Sequence, residues 1–417
     1  MTTVATRRPP VRRASLVGTG ASAAVVRRYQ RYVIPTYRRD ELVIARGRGS
    51  YVWDPEGRRY LDFFPGWGVG GLGHCHPAVT AALNRQARRL VHVANNYYHE
   101  QQALLAEQLI KRSFPGKVFF ANSGAEVVEA AIKLARRFGH PQRHEIIAMT
   151  HSFHGRTMGA VAATGQPKYH QGFQPLVPGF RHVPFNNLDA VRSVLSERTV
   201  AILVEPIQGE GGVHVATPEF LKGLRTICNA RNLVLIFDEV QTGMGRTGTL
   251  FAFQQSGVVP DVMTLAKSLG NGLSIGALVA GERFADVLQP GTHASTFGGG
   301  AVVCASALAV LDVIQREHLV NRAARMGRYL QQRLERLAAR YPALIREVRG
   351  RGLMVGMELS TGGAEIVKAC RRRGLLINCT QETVLRMLPA LIVTEREIDR
   401  AVTILDEVLA SWSISSR

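Results

Sequence analysis

The feature of this 417-residue chain that most restricts its fold is an alternation between short apolar runs and amphipathic helical patterns. Helical spacing of apolar residues occurs, for example, at residues 125–138 and 219–230. Five apolar runs of strand length lie at residues 117–120, 145–149, 200–204, 233–237 and 262–265. Strands that alternate with helices pair in parallel and are buried on both faces, so they read as continuous apolar runs. The sequence therefore predicts an α/β fold with a mainly parallel sheet between layers of helices.

Each of the five runs ends in a polar or glycine-rich loop. The segments that follow the runs are, in order, ANSGAE, THSFHGRT, EPIQGEGG, DEVQTG and AKSLGNG. The carboxyl ends of parallel strands meet at one edge of the sheet, where α/β proteins bind their ligands. We therefore expect the five loops to form one site.

Three of these loops carry residues suited to a phosphorylated carbonyl cofactor. Ser123 and Gly124 open a helix whose N-terminus favours phosphate, although Ser123 can equally be a simple helix cap. Lys267 follows a buried strand in a chain with only 7 lysines among its 52 basic residues, and a partly desolvated amine attacks carbonyl groups. Asp238 directly follows an apolar strand. These residues suit pyridoxal phosphate, with Lys267 forming a Schiff base and Asp238 keeping the pyridine nitrogen protonated.

A strand that ends in Asp238 and Glu239 is also typical of P-loop NTPases, in which such a strand binds magnesium. Those proteins require the motif GxxxxGK[ST]. Neither Lys117 nor Lys267 has both the preceding glycine and the following hydroxyl residue. A nucleotide-binding ATPase is therefore a remote alternative.

Composition limits the partners and the compartment of the protein. The formal net charge is +20, but the arginines are spread along the whole chain, which favours anionic small molecules over nucleic acid. The five cysteines are far apart and form no CxxC pair, which indicates a reducing compartment without disulfides or a metal site. No apolar run approaches the roughly 18 residues of a membrane helix, so we expect no membrane partner.

The same loops resemble the class III, ornithine-type, pyridoxal-phosphate aminotransferases. The resemblance runs from about residue 51 to residue 389 and rests on the ordered motifs GHCHP, NSGAE, FHGRT, EPIQGEGG, DEVQTGMGRTG, TLAKSLG and STFGG. It implies fold type I, with a mainly parallel seven-stranded sheet between helices and a smaller α+β C-terminal domain. It also implies pyridoxal 5'-phosphate as the cofactor and a homodimer with shared active sites.

The resemblance also implies roles for individual residues. Lys267 matches the lysine that binds the cofactor covalently and then moves the substrate proton. The remaining cofactor positions match Ser123, Gly124 and Ala125 at the phosphate, Phe153 on the ring face, Asp238 at the pyridine nitrogen, Gln241 near the phenolic oxygen, and Thr296 at the phosphate of the neighbouring subunit.

Three further residues match substrate-binding positions of the family. Arg156 resembles the arginine that binds the carboxylate distant from the reacting carbon, and Arg386 resembles the one that binds the α-carboxylate of glutamate. A planar guanidinium suits a carboxylate because it donates two parallel hydrogen bonds. Glu210 resembles the glutamate that neutralises Arg386 while an ω-amine is bound.

Within the family, the segment NNYYHEQQALLAEQL and the chain length most resemble the acetylornithine aminotransferases. This branch implies a ping-pong transfer of the terminal amino group of N-acetyl-L-ornithine to 2-oxoglutarate, giving glutamate and a semialdehyde. An aminotransferase of ornithine or another ω-amino acid is the alternative. An aminomutase of the same fold does not need Glu210 opposite Arg386, so the presence of Glu210 argues against an aminomutase. The decarboxylase branch of the family is a further alternative.

The chain divides into four predicted parts. Residues 1–39 contain nine arginines and no acid, and we expect a basic, mobile extension, with regular structure beginning near Val43. Residues 40–70 form a segment that packs with the small domain, residues 71–310 the large cofactor-binding domain, and residues 311–417 the small domain. We expect a cytoplasmic protein, with organellar targeting by the basic N-terminus as the alternative.

Overall fold

The computed structural model describes residues 21–415, and it begins with a helix and a small antiparallel sheet. The elements are α1 (Ala21–Tyr32), β1 (Arg46–Arg48), β2 (Tyr51–Trp53) and β3 (Arg59–Asp62). The expectation that regular structure begins near Val43 is wrong, because the alanine-rich segment from Ala21 favours a helix. The Ser22 hydroxyl donates to the Glu56 carboxylate at 2.8 Å. Residues 1–20, which contain the rest of the predicted basic extension, lie outside the described residues.

The central part of the chain alternates helices with strands. Its helices are α2 (Pro77–Ala87), α3 (Glu100–Arg112), α4 (Gly124–Gly139), α5 (Met158–Ala163), α6 (Leu188–Val194), α7 (Pro218–Arg231) and α8 (Phe253–Ser256). Its strands are β4 (Gly116–Ala121), β5 (Glu145–Met149), β6 (Phe180–Val183), β7 (Thr199–Val204), β8 (Ile207–Gln208), β9 (His214–Val215), β10 (Val234–Asp238), β11 (Val262–Leu265) and β12 (Gly276–Gly281).

Seven of these strands form one sheet in the order β4-β12-β11-β10-β7-β5-β6. Strand β12 is antiparallel to both of its neighbours, and the other adjacent pairs are parallel. Alternate residues of the strands face two apolar layers. Residues of α4 and α5 pack on one face, and residues of α7 pack on the other. The predicted α/β fold with a mainly parallel seven-stranded sheet is confirmed.

The C-terminal part contains four helices and a second sheet. The elements are α9 (Ala301–Arg316), α10 (Leu319–Arg340), β13 (Ile345–Arg351), β14 (Met354–Leu359), α11 (Ala364–Arg372), β15 (Leu375–Leu376), β16 (Asn378–Thr380), β17 (Val384–Met387) and α12 (Glu395–Ser415). Strands β13, β14, β17 and β16 pair in that order, entirely antiparallel. A capping box opens α12, in which Thr394 and Glu397 exchange hydrogen bonds between side chain and backbone.

Strand β15 does not join this second sheet. It pairs in parallel with β3, so the sheet order near the N-terminus is β1-β2-β3-β15. Strands β16 and β17 lie close to the carboxyl edge of the seven-stranded sheet, where Thr380 and Arg386 contact Glu210 in the loop after β7. No helix among residues 21–415 is long and apolar enough to cross a membrane.

Candidate active site

A cavity of about 440 Å³ lies at the carboxyl edge of the seven-stranded sheet. Its walls come from the loops after β4, β5, β7, β10 and β11, the five loops that the sequence predicted to converge. Nine of the predicted site residues line it, namely Ser123, Gly124, Ala125, Phe153, Arg156, Glu210, Asp238, Gln241 and Lys267. Arg386 reaches the same place through its contact with Glu210, whereas Thr296 lies elsewhere.

The N-terminus of α4 forms one end of the cavity. The Ser123 hydroxyl accepts a hydrogen bond from the Glu126 N–H at 3.2 Å, so Ser123 is a true helix cap. The N–H groups of Gly124 and Ala125 have no hydrogen-bond acceptor among the described residues, as expected for the first turn of a helix. A Cβ atom on Gly124 would lie 2.9 Å from the Val240 side chain. The cap and an anion site are therefore compatible here, because different N–H groups serve them.

Asp238 ends β10 and is buried at the floor of the cavity. One carboxylate oxygen lies 2.7 Å from Nδ1 of His154, and the other accepts from the Thr264 hydroxyl at 3.0 Å and from the Val240 N–H at 3.1 Å. An acid at the end of a buried strand is thus held by three neighbours. These contacts fix the position of the carboxyl group at the floor of the cavity.

His154 is a site residue that the sequence reasoning missed, although it stands in the FHGRT motif. Burial acts to lower the pKa of His154, but the hydrogen bond and charge of Asp238 raise it above its ordinary value. The Nε2 atom is buried without a hydrogen-bond partner among the described residues. Glu205, also missed, is buried beside this pair, and burial raises its pKa to about 7. The 2.7 Å contact with His154 helps to fix the position of the Asp238 carboxyl group in an otherwise apolar surrounding.

Lys267 lies at the start of a short 3₁₀ turn that follows β11. Its φ of 43° is in the left-handed region, which non-glycine residues rarely adopt. Burial lowers the pKa of the Lys267 amine below its ordinary value, although the charge of Glu210 acts in the opposite direction. A buried amine with a lowered pKa has a larger neutral fraction, which is the nucleophilic form.

Glu210 and Arg386 form an ion pair at the cavity wall. An Oε1 atom of Glu210 lies 2.6 Å from Nη1 of Arg386, which also donates to the Gln241 side chain at 3.2 Å. Burial acts to raise the pKa of Glu210, but the charge and hydrogen bond of Arg386 hold it below its ordinary value. The Arg386 side chain is fully buried, and its guanidinium lies 5.2 Å from the centroid of the Phe64 ring. Its Nη2 atom has no partner among the described residues.

Arg156 also lines the cavity, and its side chain is exposed. Its guanidinium lies 3.8 Å from the centroid of the Tyr169 ring and 5.5 Å from that of Phe153. The two rings meet edge to face at 5.7 Å. Tyr169 was not predicted from the sequence. The pair of rings supports the arginine without neutralising it.

Thr296 does not line this cavity. It is exposed in the loop before α9 and lines a different cavity of about 350 Å³, together with Phe119 and His293. Within one chain, therefore, Thr296 does not meet the residues that surround Lys267.

The cavity fits pyridoxal phosphate in three respects. The free N–H groups of Gly124 and Ala125 suit a phosphate. The buried carboxylate of Asp238 suits a protonated pyridine nitrogen, and the desolvated amine of Lys267 suits an aldehyde. The volume of about 440 Å³ lies within the usual range for small-molecule sites.

Comparison with known proteins identifies relatives over nearly the whole chain. The class-III aminotransferase family matches residues 34–409. An acetylornithine aminotransferase from Caldanaerobacter subterraneus subsp. tengcongensis is 50% identical over 386 residues, which is 91% of this chain and 98% of that protein.

Solved structures give the same answer for the fold. An ornithine aminotransferase from Toxoplasma gondii, which has PLP at partial occupancy in its active site, superposes with a TM-score of 0.91 at 34% identity, covering 95% of this chain and 96% of that one. An acetylornithine aminotransferase from Elizabethkingia anophelis superposes with a TM-score of 0.84 at 32% identity, covering 94% of this chain and 100% of that one.

Proposed function

The chain belongs to the class-III aminotransferases and is a pyridoxal-phosphate-dependent enzyme, and from that premise we propose its substrates. It transfers the terminal amino group of N-acetyl-L-ornithine to 2-oxoglutarate by a ping-pong mechanism, giving glutamate and a semialdehyde. The relatives named acetylornithine aminotransferase support this choice of donor. Membership of the family excludes the nucleotide-binding ATPase.

The ion pair between Glu210 and Arg386, which we call the gate, is the observation that carries the proposal. While the gate is closed, as at 2.6 Å here, the charge of Arg386 is neutralised and an ω-ammonium group can approach. When glutamate binds, its α-carboxylate takes the place of Glu210 on Nη1 and reaches the unpartnered Nη2. One cavity thereby accepts two substrates that present different groups at the reacting end.

The other side chains divide the remaining work. Pyridoxal phosphate supplies an electron sink when it is bound. The Lys267 amine moves the proton at the reacting carbon of the substrate, since its lowered pKa favours the neutral, basic form. Asp238, held in place by its contact with His154, would pair with the ring nitrogen of the cofactor. Arg156 binds the distant carboxylate of either substrate.

Ornithine is the second candidate donor. The similarity to ornithine aminotransferase from Toxoplasma gondii, at a TM-score of 0.92, favours it. Trp67 is half exposed and packs against Phe64 at a centroid distance of 5.5 Å, close to the gate. A bulky ring near the gate is one place where donors of different size can be distinguished.

The donor is tested by titrating the cofactor-loaded enzyme with N-acetylornithine and, separately, with ornithine, in the absence of a keto acid. We expect the visible absorbance of the bound cofactor to be bleached at much lower concentrations of N-acetylornithine. A preference for ornithine moves the assignment to that branch. A spectrum that neither amine alters rules out both donors.

We also propose that the enzyme is a homodimer in which Thr296 of each chain serves the neighbouring site. Large apolar side chains are exposed in this loop, on the segment before α3 and on α3 itself, namely Phe297, Leu90, Val91, Tyr97, Tyr98 and Leu104. Exposed apolar surface of this kind is typical of subunit contacts. Sedimentation equilibrium measures the mass, and a monomer that retains full activity contradicts the proposal.

Two further proposals concern the organisation and location of the chain. We propose a segment at residues 40–70 that packs with a small domain at residues 311–417, around a large domain at residues 71–310. The pairing of β3 with β15 supports this division. A cytoplasmic location is supported by five free cysteines, three of them buried.

A further inference from the structure

Glu210 lies in a turn that has little stiffness of its own. Gly209, Gly211 and Gly212 surround it, and Gly212 has a φ of 112°. Glycine restricts the backbone less than any other residue. The ion pair with Arg386 depends on the position of Glu210, so Glu210 needs hydrogen bonds from residues outside this turn to hold it in place.

That support comes from the short strand β16. Asn378, at its start, accepts a hydrogen bond from Nε of Arg386 through Oδ1 at 3.1 Å. Thr380, at its end, donates its hydroxyl to the backbone carbonyl of Glu210 at 2.7 Å. Residues two apart on a strand lie on the same face. One face of β16 therefore holds both members of the gate.

Gln381 adds a second hydrogen bond to the same carbonyl. Its Nε2 donates to the Glu210 oxygen at 2.7 Å and to Gln166 Oε1 at 3.2 Å. Gln381 and the following Glu382 have φ values of 47° and 63°, in the left-handed region that favours Asn and Gly. A strained turn at this point keeps the Gln381 amide directed at Glu210.

We infer that Asn378, Thr380 and Gln381, which we call the clamp, are positioning residues that set the preference of the enzyme between its two substrates. The inference rests on the proposed role of the gate. Because the clamp fixes the backbone of Glu210, the gate opens by rotation of the Glu210 side chain alone. Because Asn378 fixes the guanidinium through Nε, Nη1 and Nη2 stay aligned for a carboxylate.

The clamp is tested by half-reaction kinetics with glutamate and with the donor amine. Thr380→Val removes one hydrogen bond to Glu210 at nearly constant volume, so the closed gate is less favoured. We expect KM for glutamate to fall and kcat/KM for the amine to fall, with a change in the ratio of the two efficiencies of roughly three- to ten-fold. Thr380→Ser should restore the wild-type ratio.

Asn378→Asp provides a second measurement with the opposite sign. A carboxylate beside Nε neutralises Arg386 permanently, so KM for glutamate should rise while the amine half-reaction stays close to wild type. Thr249→Val is the matched control, because the part-buried Thr249 hydroxyl also donates to a backbone carbonyl, that of Phe251 at 2.8 Å, but contacts neither the gate nor the clamp. If a substitution only weakens the structure in general, kcat/KM should fall for glutamate and the amine together, and the ratio of the two values should stay unchanged.

Glu210→Ala separates the clamp from the gate. If this variant changes the ratio but Thr380→Val and Asn378→Asp do not, the clamp is refuted while the gate stands. If Glu210→Ala leaves the ratio unchanged, the gate itself is refuted, and the clamp with it. Opposite shifts in Thr380→Val and Asn378→Asp, with an unchanged ratio in Thr249→Val, support the clamp.

Discussion

The two arginines proposed to bind carboxylates have contrasting surroundings at one cavity. Arg386 is fully buried, with Glu210, Gln241 and Asn378 as hydrogen-bond partners. Arg156 is exposed and has two aromatic rings beside it but no ion pair among the described residues. The charge is the same in both cases, but only one of the two arginines is neutralised before a substrate arrives.

This difference indicates that Arg386 selects between substrates, whereas Arg156 binds any substrate that carries a distant carboxylate. A carboxylate reaches Arg386 only by displacing Glu210, so that side discriminates between substrates with and without a carboxylate at the reacting end. Arg156 is available to any carboxylate that reaches it, and its exposed position tolerates chains of different length. Specificity for the reacting end is therefore built into the buried side, where electrostatic interactions are strongest.

The largest effect is expected from Arg386→Met. Loss of a buried, hydrogen-bonded charge should lower kcat/KM for the glutamate half-reaction by about a thousand-fold and leave the amine half-reaction far less affected. Stopped-flow measurement of both half-reactions tests this difference.

Arg246→Met is the matched control for that variant, because Arg246 is also fully buried but donates to the carbonyls of Leu353 and Pro389 outside the cavity. It should lower stability without changing the ratio of the two half-reactions. Equal losses in both half-reactions of Arg386→Met contradict a selective role.

The next effect concerns stability in acid. The pKa of Glu210 lies below its ordinary value of about 4.5 in the folded state. Its contribution to the free energy of unfolding is therefore fully present above pH 4.5 and is lost as the pH falls through the lowered pKa. Glu210→Gln should lower the free energy of unfolding by about 3 kcal/mol at neutral pH. The difference in the free energy of unfolding between the variant and the wild type should become smaller below pH 4.5.

Urea unfolding between pH 3 and pH 7 measures that difference. Arg156→Gln is the comparison, because Arg156 has no acidic partner in the described part of the chain and should show no such pH dependence. A difference for Glu210→Gln that stays constant to the lowest pH contradicts the ion pair as its cause.

A smaller effect is expected from Arg156→Met. An exposed arginine contributes less to binding than a buried one, so kcat/KM should fall about ten-fold. The fall should be similar for glutamate and for the amine, since both present a distant carboxylate to Arg156. Measurements at several salt concentrations sharpen the contrast, because only the exposed side should weaken strongly with ionic strength. A loss confined to one substrate is the opposing result.

The smallest effect is expected from Tyr169→Leu. The ring supports Arg156 at 3.8 Å, and an exposed cation–π contact contributes about 0.5–1 kcal/mol. KM for both substrates should rise two- to five-fold with little change in kcat. Tyr169→Phe keeps the ring face and should behave as wild type. If Tyr169→Phe is as impaired as Tyr169→Leu, the hydroxyl rather than the ring supports the site.

The sequence predicted the strands that are buried on both faces, because such strands consist almost wholly of large apolar residues. All five predicted runs are strands, with bounds that differ by at most one residue at either end. Strand β12, GALVAG, was missed because four of its six residues are glycine or alanine, which weakens its strand pattern, and β6, FRHV, because it is short and half polar. Their places depend on neighbours that lie far away in the chain.

The site residues also fall into two groups: those that local sequence indicates and those that depend on partners far away in the chain. Lys267 and Asp238 follow buried strands directly, so local sequence indicates them. His154 depends on a partner 84 residues away and the clamp residue Thr380 on one 170 residues away. The gate was predicted only through resemblance to a family, because nothing in the local sequence of Glu210 indicates an arginine 176 residues further on.

The pairing of β3 with β15 has a consequence for the order in which the chain folds. Leu61 and Leu375 are opposite each other in this parallel pair, although one is near the start of the chain and the other near its end. During synthesis from the N-terminus, β3 leaves the ribosome long before its neighbour exists. In the three-stranded sheet of β1, β2 and β3, the edge of β3 therefore stays unpaired until almost the whole protein has been synthesised. Completion of this sheet is a late event, and it comes after the strands of the central sheet have left the ribosome.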